Sequence, residues 1–391
     1  MIEKSKKKIK ICQVVSVDLS LRFLLFDFMK YLQKEGFELQ AVSSDGKWIW
    51  EIRDAGIQIK TISITRKLFT PISDIIALFQ LFLFFKKERF DIVHTHTPKA
   101  TFLGQLAAFF AGVSIRITTI HGLYFQENSS WQKKMLFVPI ERIVAKIVHK
   151  AFSVNREDVE LLLKWKIYTK EKITYIGGGI DLSKFNPERF SQKFIMQKKR
   201  SIGIPQKAKV IGIVARLVKE KGFLPLFSAF SSVLEQFPDA ILLVVGPKEP
   251  EKRDSLDLNV VDEYGIKDKV MFLGERTDVI ELYALMDIFV LPSYREGLGL
   301  SILEASAMGK PIVSSDIRGC RETVDDKKTG LLVPSNNPAE LAKALIYILL
   351  HPEVAKNMGK AGRKKVEKEF NERTLFDRIK KEYYLLIEKN I

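Results

Sequence analysis

A chain of 391 residues that is 46% hydrophobic is long enough for two domains, each with its own core, and too apolar to be largely disordered. Its net charge of +16, from 63 Lys and Arg against 47 Asp and Glu, calls for an anionic partner without naming one. The two cysteines, Cys12 and Cys320, cannot form a disulfide framework and are too isolated for a metal site, which fits a reducing compartment.

In chain order, Lys4, Lys6, Lys7, Lys8 and Lys10 resemble a charged leader, but the apolar run 11–17 contains Gln13 and is interrupted at Asp18. It reads as a first core strand rather than a cleavable signal. Strands are expected at 9–17, 38–43, 57–62, 91–95, 115–120, 151–154 and 172–176, with helices near 20–35, 73–87, 99–111, 131–150 and 156–165 between them. A second set of strands, 209–214, 240–246, 269–273, 287–291 and 311–314, alternates with helices in the same way. Such alternation signals parallel, doubly wound α/β sheets. The stretch 176–205 is rich in Gly, Lys, Phe and Gln with little periodicity, so it holds the expected linker. The division is then 1–185, a linker at 186–205, 206–372 and a terminal helix at 373–391. The most apolar segment, 75–85, stops at Lys86 and Lys87, about half the length needed to cross a bilayer, and no transmembrane helix is expected.

The chemistry concentrates where strands hand over to helices. After the strand at 287–291 comes Pro292-Ser-Tyr-Arg-Glu-Gly-Leu-Gly-Leu-Ser-Ile-Leu-Glu-Ala305, which puts Glu296 in a loop and Glu304 in the second turn of a helix. The amides of Gly297, Leu298, Gly299 and Leu300 are expected to point from that helix start into the crevice at the strand ends, a good place for phosphates and sugar hydroxyls. After the strand at 209–214, Arg216 and Lys221 are two cations suited to a diphosphate, Arg by two oxygens and Lys as a point charge. His94 and His96 close the strand at 91–95. They are expected to point to opposite faces, and no Asp or Glu cluster joins them, so no metal is expected.

These stretches resemble those of family 4 glycosyltransferases. The matching runs are Ala215-Arg-Leu-Val-Lys-Glu-Lys-Gly222, Ser293-Tyr-Arg-Glu-Gly297, Leu303-Glu-Ala-Ser-Ala-Met-Gly-Lys-Pro-Ile-Val313, Gly319-Cys-Arg-Glu322, Thr329-Gly-Leu-Leu-Val-Pro334, Thr119-Ile-His-Gly122 and Gly177-Gly-Gly-Ile-Asp181. The run Asp91-Ile-Val-His-Thr-His-Thr-Pro-Lys-Ala100 further resembles the branch that builds capsule, O-antigen and related bacterial surface glycans. The resemblance implies a GT-B fold, two Rossmann-like domains facing a central cleft, with the last helix crossing back to the N-terminal domain. It implies a retaining enzyme that moves a hexose or N-acetylhexosamine from a UDP-sugar to a polyprenyl-diphosphate-linked glycan, with no cofactor. Arg216 and Lys221 would neutralise the leaving diphosphate, Glu304 would hold the ribose, Glu296 would orient the donor sugar, and His121 would lie beside it. His96, Thr97 and Lys99 would shape the acceptor side. Many relatives carry a Gly-Gly pair in the first strand-to-helix loop; here Asp18, Ser20 and Arg22 stand in that loop, either contacting the acceptor or, for Asp18, capping a helix.

Charge is uneven: residues 1–185 carry 29 Lys and Arg against 18 Asp and Glu, the remainder 34 against 29. An anionic acceptor or an anionic membrane surface at the cytoplasmic face explains that bias, and no nucleic-acid-binding motif is present. Two segments could meet a membrane, the Phe-rich 69–90 and the helix near 131–150; either could instead dock on the sheet. A nucleotide-sugar 2-epimerase shares the fold, but the paired Arg216/Lys221 and Glu296/Glu304 pattern argues against it. A non-enzymatic membrane-associated assembly factor with a degenerate site is disfavoured because none of those four residues is missing. A dinucleotide-binding dehydrogenase is also disfavoured, because Gly177-Gly-Gly179 lacks a third Gly three residues on.

Overall fold

The computed structural model describes residues 8–65, 67, 70–125 and 129–390, so the leader lysines before Lys8 lie outside the described residues. The chain divides into two compact units, one made of residues up to Gly177 and from Leu375 onward, the other of Gly178–Thr374.

In the first unit, β1 (Lys10–Val14) leads through α1 (Asp18–Ser20) and a π-helical turn at Leu21–Leu25 into α2 (Phe26–Lys34). There follow β2 (Glu38–Ser43), α3 (Ile49–Asp54), β3 (Gln58–Thr61), α4 (Pro71–Glu88), β4 (Ile92–Thr95), α5 (Pro98–Phe110) and β5 (Ile115–Ile120). The unit continues with α6 (Trp131–Ile147), β6 (Lys150–Ser153), α7 (Arg156–Lys164) and β7 (Ile173–Tyr175). The sheet is parallel, in the order β3-β2-β1-β4-β5-β6-β7. Its central strands are buried on both faces, which is why β1 and β4 read as runs rather than as an alternation. Proline at the first turn starts α4 and α5, and the Asn155 side chain caps α7 by accepting from the Asp158 amide. α4 buries only the stripe Ala77, Leu81 and Phe85, four residues apart, and leaves Ile72, Ile75, Ile76, Phe79 and Leu83 exposed.

The second unit runs through α8 (Gln192–Ser201), β8 (Val210–Val214), α9 (Phe223–Gln236), β9 (Ile241–Val245), β10 (Val270–Gly274), α10 (Val279–Leu285) and β11 (Ile288–Leu291). It ends with α11 (Leu300–Ala307), β12 (Ile312–Ser315), α12 (Arg318–Thr323), β13 (Gly330–Val333), α13 (Pro338–Leu350) and α14 (Pro352–Glu369). Its parallel sheet has the order β10-β9-β8-β11-β12-β13. The stretch 186–205 is not a linker: it belongs to this unit. Ser191 caps α8 by accepting from the Phe194 amide, Ile195 and Ile202 pack on the unit's core, and Lys198 pairs with Asp278 and Glu281. So few apolar residues hold α8 in place that no periodicity shows in its sequence. β13 was not among the expected strands either.

From Leu375 onward the last helix, α15 (Glu372–Asn390), packs within the first unit. Tyr31 donates to Asp377 at 2.5 Å, Lys380 pairs with Glu35 at 2.9 Å, Arg378 donates to the Ile176 carbonyl at 2.7 Å, and the Tyr383 ring is fully buried.

In each sheet the winding reverses next to the first strand, between β1 and β4 and again between β8 and β11. Loops leaving the carboxyl ends of such neighbouring strands diverge to opposite faces and open a crevice, where ligands of doubly wound sheets bind.

Candidate active site

In the second unit the switch point gathers the residues singled out from the sequence. Arg216 and Lys221 follow β8; Glu296 precedes α11 and Glu304 lies within it, both after β11. The two loops are fastened together. Gly222, at φ 77°, has a left-handed backbone, and a Cβ there would lie 2.0 Å from the Pro292 carbonyl oxygen. Across that seam the Tyr294 amide donates to the Glu220 carbonyl at 2.9 Å and Arg295 pairs with Glu220 at 2.9 Å. Gly319 serves the third loop, since a Cβ there would meet the Glu296 carbonyl oxygen at 2.5 Å.

Lys221 Nζ donates to Glu296 Oε1 at 2.6 Å, and the Ser293 hydroxyl donates to the same oxygen at 2.7 Å. Arg216 pairs with Glu249, which Lys252 also reaches at 2.9 Å. Burial works against the Glu249 charge, but Lys252 and Arg216 together hold that carboxyl below the usual range. Glu304 accepts from the Tyr283 hydroxyl at 2.6 Å; burial pushes its carboxyl up to about 7, and the tyrosine pulls the other way. Gly299 and Leu300, whose amides are expected to face the crevice, use them internally: Gly299 donates to the Gly319 carbonyl at 3.4 Å and Leu300 to the Leu298 carbonyl at 2.9 Å. The chain tightens into a turn just before α11, so the helix start uses these donors internally. Ser293, Glu220, Tyr283 and Glu249 were not foreseen. Ser293 and Glu220 lie inside the motifs, but nothing near Tyr283 or Glu249 marks them in sequence.

In the first unit, the loops after β1 and β4 meet where the Thr97 hydroxyl oxygen accepts from the Ser16 amide at 2.9 Å. Asp18 is committed to the scaffold: it accepts from the Trp48 amide at 2.9 Å, thereby holding the start of α3 rather than capping its own helix. Arg22 pairs with Glu51 at 2.8 Å, and Lys99 is drawn to Asp74 at 2.9 Å and the Thr70 hydroxyl at 2.8 Å. Ser20 and Thr97 remain beside this loop pair, but Lys99 points to the start of α4 instead.

His94 and His96 do not diverge. Residues two apart on a strand share a face, and the two rings lie 4.1 Å apart, with His121 5.5 Å beyond His96. Gln13, Thr119 and Tyr383 complete this buried polar cluster; only Gln13, a polar residue inside an apolar run, signalled it in sequence. Among the described residues no group of three or more His, Cys, Asp and Glu is arranged to hold a metal ion.

Burial holds His94 and His96 well below the ordinary imidazole range, and His121 and His149 at about 4. Above pH 6.5 these groups are neutral in both folded and unfolded chains. Between 6.5 and about 4 only the unfolded chain takes up the protons of His121 and His149. His121 therefore removes up to about 1.4 kcal/mol of stability per pH unit and the more solvent-screened His149 less, while His94 and His96 act in the same direction. Glu141 and Glu304, raised by burial to about 7, act in the opposite sense, since the folded chain is protonated first there. Four histidines outweigh two carboxylates. The urea midpoint is therefore expected to fall as pH drops from 6.5 to 4.5, and a flat midpoint would contradict neutral buried histidines.

Two family profiles match this chain, one described as Glycosyl transferases group 1 over residues 195–365 and one as Glycosyltransferase Family 4 over residues 24–184. The chain belongs to glycosyltransferase family 4. This glycosyltransferase is 28% identical to the Escherichia coli UDP-Gal:alpha-D-GlcNAc-diphosphoundecaprenol alpha-1,3-galactosyltransferase, over 97% of each chain. It is 26% identical to the capsular polysaccharide biosynthesis glycosyltransferase CapM of Staphylococcus aureus, over 98% of this chain and 99% of CapM. Its fold is that of HepE from Anabaena, solved in complex with UDP and glucose, with a TM-score of 0.82 at 18% identity over 96% of this chain and 99% of HepE. The glycosyltransferase thus has the GT-B fold expected of it, an α/β architecture of two doubly wound parallel sheets.

Proposed function

We propose that this glycosyltransferase moves a hexose or N-acetylhexosamine, with retention, from a UDP-sugar to a polyprenyl-diphosphate-linked glycan in the assembly of a bacterial surface polysaccharide or glycan. The observation that carries this reading is the meeting of Arg216, Lys221, Glu296 and Glu304 at the β8–β11 switch point. The E. coli relative, similar over nearly the whole chain, supports the choice of donor and acceptor. Arg216 and Lys221 neutralise the donor diphosphate in place of a divalent cation, and release of Arg216 from Glu249 accompanies its arrival. Glu304 accepts from the ribose hydroxyls; Glu296, held by Lys221 and Ser293, and His121 receive sugar hydroxyls. The bond from the anomeric carbon to the β-phosphate oxygen breaks as the acceptor oxygen bonds to that carbon on the same face. The acceptor's hydroxyl proton passes to the departing phosphate oxygen, and the cations stabilise the charge growing there.

The test is release of nucleoside diphosphate from UDP-, GDP- and ADP-sugars, with and without undecaprenyl-diphosphate-linked glycan, in EDTA. Acceptor-dependent release from one UDP-sugar is expected, with an α-linked product by NMR. Release that needs a divalent cation, or an epimerised free sugar, would overturn the reading.

The same reading puts the enzyme at the cytoplasmic face of an anionic membrane. No helix among the described residues is long and apolar enough to cross a membrane. The exposed residues of α4 are joined by Phe109 and Phe110 at the end of α5, and by Trp131, Met135, Leu136 and Ile143 on α6, where docking on the sheet buries only Val144 and Ala145. α5 packs against both α4 and α6, so these residues lie on neighbouring helices, with Lys86, Lys87, Lys133, Lys134 and Arg142 among them. Apolar side chains mixed with cations suit shallow insertion into an anionic interface. Combining Phe79→Glu, Phe110→Glu and Met135→Glu is expected to weaken binding to phosphatidylglycerol-containing vesicles at least about tenfold, because each lost apolar group is worth about 1.5–3 kcal/mol. Turnover of a short soluble acceptor should be unchanged; undiminished co-sedimentation would reject this surface.

A further inference from the structure

The buried cluster around Tyr383 allows its hydrogens to be assigned one by one. Tyr383 Oη accepts from Gln13 Nε2 at 3.2 Å. A phenol has one hydrogen, and the remaining partner is His94 Nδ1 at 2.6 Å, so the hydrogen goes there. His94 then carries its own hydrogen on Nε2 and donates to the Thr119 hydroxyl at 2.7 Å. The other end of the Gln13 amide, Oε1, can only accept, which requires a hydrogen on His96 Nε2, 2.7 Å away. Because burial keeps His96 neutral, its Nδ1 is bare and must accept from His121 Nε2 at 3.3 Å. Gln13, His94, His96, Thr119 and Tyr383 are all buried, so no solvent competes for these bonds, while His121 is half-buried at the end of β5.

We propose that Tyr383 is a positioning residue: from the C-terminal helix, through Gln13 and His96, it fixes His121 as the Nε2–H tautomer, so that His121 offers the bare Nδ1 to a donor-sugar hydroxyl. This rests on the reading of His121 as a donor-sugar contact. Turning the Gln13 amide would reverse the bonds of this chain one after another and present an N–H at His121 Nδ1 instead. The chain therefore has two self-consistent states; the structure holds the one in which the Gln13 amide donates to Tyr383, and that bond is what keeps the amide from turning. A hydroxyl on α15, remote in sequence from His121, thus acts on it by anchoring the Gln13 amide.

Two-bond ¹H–¹⁵N spectra of the histidine rings test this directly. In the full-length wild-type protein His121 should show a single tautomer, with Nε2 protonated and Nδ1 bare. Tyr383→Phe keeps the ring packed against Phe28 and Phe37 and removes only the hydroxyl; it should give mixed tautomers and lower kcat about five- to tenfold, the worth of about one hydrogen bond, with donor KM nearly unchanged. A protonated Nδ1 in the wild type, or mixed tautomers there, overturns the proposal without recourse to any variant. An unchanged tautomer in Tyr383→Phe overturns it as well. The spectra do not depend on turnover, so the two ideas fail separately: full activity in His121→Ala would remove the donor-sugar reading of His121 and leave the tautomer assignment standing.

Discussion

Lys221→Ala should lower kcat about 10²–10³-fold, the usual loss when one preorganised group facing a developing negative charge is removed. The stability cost should be far smaller than the catalytic one. Lys221 and Glu296 are 14% and 10% exposed, so the variant leaves a mostly buried carboxylate whose nearest remaining donor is the Ser293 hydroxyl. Losing one bond to a charged group costs about 1.5–3 kcal/mol. That is a fraction of the stability of a folded domain. Adding Glu296→Gln removes the orphaned charge and should restore part of the melting temperature, because an unpaired buried charge, rather than the lost pair, is what destabilises. It should restore no activity. Stability therefore recovers across the pair of variants while turnover does not, which a purely structural ion pair cannot produce. Near-normal turnover in Lys221→Ala would mean that the diphosphate is bound elsewhere.

The fold was legible because parallel strands covered on both faces leave long apolar runs in sequence, and β8 and β11 do so without interruption. The second-unit site was legible for a related reason: Arg216, Lys221, Glu296 and Glu304 all sit just beyond such runs, where a doubly wound sheet must open its crevice. What was hidden depends on partners distant in sequence. Arg216 meets Glu249 across 33 residues and His94 meets Tyr383 across 289, and neither pairing leaves a local pattern. Lys99 misled because a lysine after a strand has the same local sequence whether it faces a ligand or folds back on Asp74. His94 and His96 face the same way because positions i and i+2 of a strand share a face, which brings their rings together instead of apart. The segment at 186–205 hid a helix because α8 is held by caps and ion pairs more than by an apolar stripe.

Glu304→Ala should raise the donor KM at least about 100-fold, because a carboxylate holding two ribose hydroxyls makes two charge-assisted bonds worth about 1.5–3 kcal/mol each. The wild type should carry the same signature in its pH profile. Burial lifts the Glu304 carboxyl to about 7. As pH falls through 7 the group takes a proton, loses acceptor capacity, and kcat/KM for the donor should decline about tenfold per pH unit while staying flat above. Folding responds with the opposite sign. A group with a raised folded-state pKa contributes most below its unfolded value and loses that contribution as pH rises through 7, so the free enzyme is stabilised at low pH by the same proton that blocks donor binding. The Tyr283 hydroxyl, 2.6 Å from Glu304, favours the ionised form. Tyr283→Phe should therefore move the limb to higher pH, and Glu304→Gln should abolish it. A limb that persisted unchanged in Glu304→Gln would belong to another group and would remove Glu304 from the ribose site.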